Sequence, residues 1–357
     1  MKKMVAVLLS ALLLLPLCSG FAAPAAAAET GTFTAFCYNV AGLPSLSFLT
    51  GGEPVNVINN QVCIGKYVSE KQYDIFATQE DFGYHDNLVG ALDGYPYQTY
   101  HHGGVPYGDG TNVFTRSFPM YNEAHIVWDQ LYGIADDGAD EFSQKGITYV
   151  CLKIADNVYI DFYDIHADAY GDPGSLAARQ DNFRQLAELI NSRTVDRPVI
   201  VTGDFNAYLF YDSSLLKETL VDGAGLKDAW VEVKNDGDYE GCSYYLETYG
   251  TGWEGKWGVW DSVERFMYKD GGGISLECAS FEYVDVLNSK GQPCSDHKAA
   301  EAGFTYTVNS ASENIGSETA VTSNNGFMEI VRRIVTFFQK LILGITNFDK
   351  VRAYFGV

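Results

Sequence analysis

The sequence predicts an α/β fold of packed layers containing a mixed β-sheet. Three observations carry that reading. Short apolar runs with strand character alternate with longer stretches of helical period. Some runs are joined through helices and others through tight turns, so parallel and antiparallel pairings must coexist. Polar residues of one chemical kind also recur where the runs stop.

Taken in order, the chain begins MKKMVAVLLSALLLLPLCSG, with Lys2 and Lys3 ahead of an apolar run from Met4 to Leu17 and alanines up to Ala28. This reads as a secretory signal peptide over residues 1–28, cut near Ala28 and outside the fold. The folded domain is expected over residues 30–308. TFTAFCYNV is its first strand, and VNVINNQVCIGKYVSEK a helix with Val57, Ile64 and Val68 on one face. DIFATQE, Asp74 to Glu80, is a second buried strand. ITYVCLKI and VYIDFYDI flank Asp156-Asn157 as a hairpin. SLAARQDNFRQLAELI is a helix presenting Leu176, Phe183, Leu186 and Ile190 on one side, and VIVTGD is a short buried strand. FMYKDGGG, CASFEYV and FTYTV supply the later strands.

Beyond Asn309 the pattern changes. NSASENIGSETAVTSNNG is polar and aperiodic, a linker over residues 309–326. The tail, 327–357, opens with FMEIVRRIVTFFQKLIL. There Glu329, Arg332, Arg333, Thr336, Gln339 and Lys340 recur at three- and four-residue steps opposite Ile330, Val331, Ile334, Phe337, Phe338 and Leu341. That is an amphipathic helix, too charged and too short to span a bilayer. It either packs on protein or lies in a lipid surface.

The net charge of −22 disfavours nonspecific binding of polyanions, although a divalent cation bridges such repulsion locally. Cys37, Cys63, Cys151, Cys242, Cys278 and Cys294 are scattered without a Cys-x-x-Cys pair, which argues against a structural zinc site. Secretion permits disulfides, and a large domain also buries free thiols.

The candidate chemistry lies at the strand ends. Asn39 closes TFTAFCYN, Glu80 closes DIFATQE, and His166 closes FYDIH. Asp204 and Asn206 follow VIVTG, and Asp296 and His297 stand in PCSDHKA ahead of the last strand. Taken singly, each has an ordinary reading: a turn residue, a loop cap, a core histidine, an Asx turn, an exposed pair. Catalytic and ligand groups in α/β proteins nevertheless collect where strands end. Carboxylates, amides and imidazoles without a cysteine suit Mg²⁺, Mn²⁺ or Ca²⁺ better than zinc.

The ordered set YNV, QED, DIHAD, GDFNA and SDHKA resembles the endonuclease/exonuclease/phosphatase superfamily, the fold of pancreatic deoxyribonuclease, from about Thr32 to Val308. The resemblance implies a four-layer α/β sandwich, two packed sheets flanked by helices, and metal-dependent hydrolysis of a phosphate ester. It implies that Glu80 is the principal Mg²⁺ ligand, with Asn39 beside it and Asp296 ligating or supporting the metal region. His297 is the implied general base. His166 stabilises the phosphate or protonates the leaving oxygen, and Asp204 with Asn206 orients water and holds a phosphate oxygen. The family pattern carries an aspartate that orients the final histidine. In DSVERFMYKDG, Glu264 takes that position by alignment on Tyr268, and Asp261 is the other candidate.

The substrate class is less marked. EFSQKGITYV, with Lys145-Gly146 before a strand, resembles a segment of the secreted and neutral sphingomyelinases of this superfamily, which makes Lys145 a substrate-binding candidate. DGTNVFTRSFPM, residues 109–120, reads as a hairpin and does not discriminate. Tyr84, Tyr107, Trp253, Trp257 and Trp260, in Gly-rich stretches, either pack or line a substrate mouth. The expected partner is a phosphate-ester substrate, a phospholipid first and nucleic acid second, with membrane-surface contact through the tail. A non-catalytic binding module on the same fold is the alternative of another class.

Overall fold

In the computed structural model the described residues are 29–43, 56–104, 108–133, 140–141, 143–249 and 261–309. The signal segment, most of the linker, the tail, Tyr107, Trp253, Trp257 and Trp260 lie outside them.

Two six-stranded sheets form the body. The first holds β1 (Glu29–Asn39), β2 (Ile75–Gln79), β3 (Tyr97–Gln98), β4 (Asn112–Thr115), β11 (Ile274–Val284) and β12 (Ala299–Val308), in the order β11-β12-β1-β2-β4-β3. The second holds β5 (Met120–Val127), β6 (Gly146–Ala155), β7 (Val158–His166), β8 (Val199–Asp204), β9 (Lys227–Asp228) and β10 (Glu264–Lys269), in the order β5-β6-β7-β8-β10-β9. The helices are α1 (Val57–Lys71), α2 (His85–Val89), α3 (Pro173–Asn191), α4 (Leu209–Leu216), α5 (Ala229–Lys234) and α6 (Tyr239–Tyr249).

Each sheet has one parallel pair at its centre, β1 with β2 and β7 with β8, and antiparallel neighbours outside it. Parallel partners need a crossover. Helix α1 makes the first crossover and α3 the second, as the sequence period requires. The strand β1 is buried on both faces. Phe33, Ala35 and Cys37 join the core that also holds Val201, Phe266 and Phe304, while Phe36, Tyr38 and Val40 meet Ile64 and Val68 of α1. The result is helix, sheet, sheet, helix, the four layers that the resemblance implies.

Local chemistry sets the ends of the helices. The Asp172 side chain accepts from the backbone N–H groups of Gly174 and Ser175 and Pro173 follows it, an N-cap with proline at the first helical position. Phe183, Leu186 and Ile190 of α3 are buried as expected, but Leu176 is 39 % exposed, while the neighbouring Ser175, Ala178 and Arg179 turn inward. DGTNVFTRSFPM is not a hairpin. Its β4 pairs with β2 and the following β5 pairs with β6, so the segment carries the chain from one sheet to the other. The FTYTV strand starts five residues earlier than the motif, at Ala299, because β12 pairs along most of β1 and β11. Among the described residues the six cysteines are free thiols.

Candidate functional site

Parallel strands in register bring their carboxyl ends together. Asn39 stands opposite Gln79 at the end of β1 and β2, and His166 stands opposite Asp204 at the end of β7 and β8. Glu264 opens β10 opposite Asp204, because β10 runs antiparallel to β8. Ser295 to His297 lead into β12 at the same end of the sandwich. Residues far apart in the chain thus share one rim.

The backbone there is held tightly. Glu80 and Asn206 both lie in the left-handed region, at φ 56° and 48°. Such conformations cost on the order of 1–3 kcal/mol and persist only where their surroundings fix them. Gly203, just before Asp204, also has positive φ, and a Cβ there would fall 1.9 Å from the Ile165 carbonyl oxygen. Any other residue would push β8 off β7.

Asp204 is the hub. Its Oδ1 accepts from the Asn206 backbone N–H at 2.9 Å, an Asx turn, so the ordinary reading of this pair also holds. Its Oδ2 accepts from Asn39 Nδ2 at 3.0 Å and lies 3.4 Å from His166 Nε2 and 3.7 Å from His297 Nδ1. Burial opposes ionisation of Asp204, but His297, His166 and Lys145 outweigh it and hold the carboxyl below the usual carboxylate range. Asn39 Nδ2 also donates to Glu80 Oε1 at 3.1 Å, while Asn39 Oδ1 accepts from the Ala41 N–H. In this arrangement Asn39 gives the site a donor between two carboxylates rather than a ligand oxygen. The side-chain amide of Asn206 donates to the Ala167 carbonyl at 3.0 Å, which uses one of its two N–H groups.

Glu264, not Asp261, lies behind His297. The Nδ1–H of His297 donates to Glu264 Oε1 at 2.5 Å, and Ser262 Oγ holds the other oxygen of Glu264. Asp261 instead pairs with the buried Arg265. With Nδ1 engaged, Nε2 of His297 carries the lone pair. Burial lowers the basicity of His297, yet Asp204 and Glu264 together raise its pKa to about 10. An imidazole that basic is protonated at neutral pH, so it serves as a base only when positive charge balances the carboxylates around it. Burial and the Lys145 charge push His166 well below the usual histidine value, while the Asp204 carboxylate pulls the other way.

Lys145 is not a surface lysine. It is 6 % exposed, its Nζ is 2.7 Å from Asp140 Oδ1, and it contributes charge to Asp204 and Glu80. Burial opposes its charge, and Asp140, Asp204 and Glu80 overcome that. Gly146 is needed beside it, since a Cβ there would sit 2.4 Å from the Ile126 carbonyl oxygen. Asp296 is exposed and faces a cleft of about 620 Å³ that His297, Glu264, Tyr208 and Tyr211 also line.

The donors fit a hard cation. Burial raises the carboxyls of Glu80, Glu264 and Asp140 above their ordinary values, so more acid is packed here than Lys145 and His297 can balance. Donor atoms of Asp204, Glu264 and His297 lie within 4.8 Å of one another, and Asn39 ties Glu80 to that group. Asp296 is not part of this cluster. Four contributors were not legible as site residues: Gln79, Asp140, Ser262 and Ser295. The Ser295 hydroxyl donates to the Asn39 carbonyl and accepts from the His297 N–H. Its place inside the SDH motif was the available signal.

The sequence profile of the Endonuclease/Exonuclease/phosphatase family matches residues 37–267. The chain belongs to that family. It is 31 % identical over 289 residues to sphingomyelinases of Mycobacterium bovis and Mycobacterium tuberculosis, an alignment covering 78 % of this chain and 54 % of the relatives. The chain thus spans about half the length of those curated relatives. Solved structures of the same fold include a humanized D. rerio TDP2 (TM-score 0.54, 14 % identity, covering 76 % of this chain and 98 % of that one). Another is the beta toxin of Staphylococcus aureus with bound magnesium ions (TM-score 0.51, 15 % identity, covering 76 % and 99 %). As a member of this family the chain carries the family's phosphoester-hydrolase fold, with the implied site residues converging on one rim, Asp296 at its exposed edge.

Proposed function

We propose that the chain is a secreted, divalent-cation-dependent phosphodiesterase whose lead substrate is a sphingomyelin-like phospholipid. The observation that supports the chemistry best is the chain of contacts Glu264–His297–Asp204–Asn39–Glu80 at one end of the sandwich. Glu264 fixes the His297 ring so that Nε2 accepts a proton from an attacking water. Asp204 holds Asn39 and the Asn206 turn rigid, which limits the geometric freedom of the reacting groups. The Lys145 ammonium is a fixed positive charge in a buried setting, where it counts for more than in water. His166 stands beside Asp204, with Nε2 3.4 Å from its Oδ2. Mg²⁺ is the proposed cation, held by the Glu80 and Asp204 carboxylates, and it would neutralise charge on the phosphate and on the leaving oxygen.

The lipid reading is supported by the sphingomyelinase relatives and by the cleft. Tyr211 is 75 % exposed and its ring meets Tyr208 edge to face at 6.5 Å, beside His297. Aromatic faces at such a mouth suit a quaternary ammonium head group. A nuclease with the same site is the second reading. A D. rerio TDP2 structure of this fold was solved with a single-stranded DNA product, whereas the −22 net charge of this chain works against a polyanion. Export rests on the N-terminal apolar segment, and lipid-surface contact on the amphipathic pattern of 327–357.

The test offers sphingomyelin, phosphatidylcholine, supercoiled DNA and bis-nitrophenyl phosphate to the mature protein, with Mg²⁺ and with chelator. Chelator-sensitive release of a phosphorylated head group is expected. Cleavage of DNA alone would transfer the site to the nuclease reading. Silence on all four substrates would leave a binding module, and sedimentation with vesicles of tail-deleted protein at the wild-type level would remove the tail from the account.

A further inference from the structure

Six histidines occur in the chain, and only His166 and His297 belong to the hydrolytic cluster. The other four stand in the loops and strands after β2. We propose that Asp81, His85 and His101 form a second metal site, for a zinc-class divalent cation, separate from the hydrolytic centre and independent of the activity assigned to it.

Asp81 follows Glu80 but belongs to a different set of contacts. Its backbone N–H donates to the Gly110 carbonyl at 3.0 Å, which anchors the loop, and the residue is 1 % exposed. Its Oδ2 accepts from His85 Nδ1 at 2.7 Å and from Asn112 Nδ2 at 3.1 Å. Its Oδ1 is buried without a hydrogen-bond partner. A buried carboxylate oxygen left unpaired is costly, and native folds seldom keep one unless something else completes it.

The two imidazoles lie side by side as a stack, and one ring must turn out of it for both in-plane lone pairs to meet one cation. His85 opens α2, and its ring stacks on His101 with centroids 3.9 Å apart and planes 7° apart. The Nε2–H of His101 donates to the Asp81 backbone carbonyl at 2.9 Å, which fixes the tautomer and leaves the lone pair on Nδ1. An outer hydrogen bond of this kind is how metal-binding histidines are usually oriented. One donor atom from each of Asp81, His85 and His101 lies within 4.8 Å of the others. Both histidines are half-buried, which keeps one side open to water.

Two imidazoles and one carboxylate suit Zn²⁺, Co²⁺ or a neighbouring transition metal, whereas Mg²⁺ prefers oxygen and water. On binding, the His85 proton moves from Nδ1 to Nε2, the cation takes its place between Nδ1 and Asp81 and takes up the unpaired oxygen, and His101 turns out of the stack to bring Nδ1 to it. The ligands come from the loop after β2, from α2 and from the segment between β3 and β4, so an occupied site ties these three together.

The test is a Zn²⁺ titration by calorimetry on the mature protein in excess Mg²⁺. The variants are His85→Gln, His101→Asn, Asp81→Asn, His102→Asn and Glu80→Gln, each with a circular-dichroism spectrum to check folding. Binding is expected in the wild type, with affinity reduced about 100-fold or more by the first three changes, in line with the effect of disturbing metal ligands and their supports. His102→Asn and Glu80→Gln are expected to retain it. Wild-type affinity in both His85→Gln and His101→Asn overturns the proposal. So does loss of binding in His102→Asn, which would move the cation to the neighbouring His102, Glu123 and His125 group, or in Glu80→Gln, which would move it to the hydrolytic centre. If the ligand variants fail to fold, diethylpyrocarbonate labelling of the wild type decides. Zn²⁺ should protect His85 and His101, and equal labelling with and without Zn²⁺ refutes the site.

Discussion

Replacing Glu264 by Gln is the sharpest perturbation of the hydrolytic cluster. The change keeps an acceptor for the His297 Nδ1–H and nearly the same volume, but removes a charge 2.5 Å from the ring. His297 is held at about 10 against its ordinary 6.5 by Asp204 and Glu264 together. That difference corresponds to about 5 kcal/mol in favour of the imidazolium, divided between the two carboxylates. Removing one close opposite charge lowers such a pKa by about 1–3. A general base works when deprotonated, so the acid-side limb of the pH–rate profile should move to lower pH by about that amount. The plateau should fall at the same time, by about 10²–10⁴-fold, because the amide neither stabilises the imidazolium formed in the reaction nor holds one ring orientation. The assay is kcat/KM against pH on bis-nitrophenyl phosphate with saturating Mg²⁺. Asp261→Asn is the comparison, since Asp261 pairs with Arg265 and should leave the limb in place. A Glu264→Gln enzyme with the wild-type limb and plateau would refute Glu264 as the orienting residue, and with it His297 as the base.

Other consequences are open to measurement. Lys145→Met should lower both kcat/KM and thermal stability, because it strands the buried Asp140 carboxyl, at a cost of about 3–5 kcal/mol. Lys145→Met with Asp140→Asn should recover stability but not activity, and recovery of both would make the pair purely structural. Tyr211→Ala should raise KM for choline lipids while sparing bis-nitrophenyl phosphate, and an equal effect on both would remove Tyr211 from head-group recognition. His125, raised to about 9 by Asp109 and Glu123 against its own burial, gives a stability signature. Its folded pKa exceeds the unfolded value, so its contribution is complete below about pH 6.5 and is lost as pH rises through 9. Denaturant melts of wild type minus His125→Gln should show a difference that shrinks over that window, and a constant difference would rule out the linkage.

The strands and helices that cross the core were legible because their burial imposes a period. AFCYN, IFATQ and VIVTGD are buried on both faces and read as continuous runs, while α1 and α3 repeat at helical spacing. Pieces at the edges were not legible. Strands β3 and β9 have two residues each, too few for any period. The span of β4 and β5 resembles a hairpin stretch of the family, whereas its two strands pair in different sheets. Leu176 fits the helical face of α3 by its spacing, yet the buried face at that end is made by Ser175, Ala178 and Arg179, which apolar periodicity does not mark. In the site, Glu264 and Lys145 stood out through motif position, yet only packing shows that one backs His297 and the other is buried against Asp140. Asp296 is the converse: it sits within a strong motif and remains exposed.

What unites the site is its position on the seam between the two sheets. Toward the carboxyl ends of the central strands, polar bonds cross between the layers. Gln79 of β2 donates to Asp164 of β7 at 2.6 Å, and Asn39 of β1 donates to Asp204 of β8 at 3.0 Å. Burial pushes the Asp164 carboxyl well above its usual range, and the Gln79 amide opposes that shift. Each bond links residues that the register already places at strand ends, so a shift of one sheet against the other would break both together. The QE and GD steps of the motif therefore have two duties. Gln79 bridges the two layers and Gly203 lets β8 lie close to β7 within its own sheet, while Glu80 and Asp204 use that framework to hold their carboxylates at one end. A Gln79→Ala enzyme should thus lose activity although Gln79 itself faces no reacting group, with an Asp204→Asn change adding little once the seam has slipped.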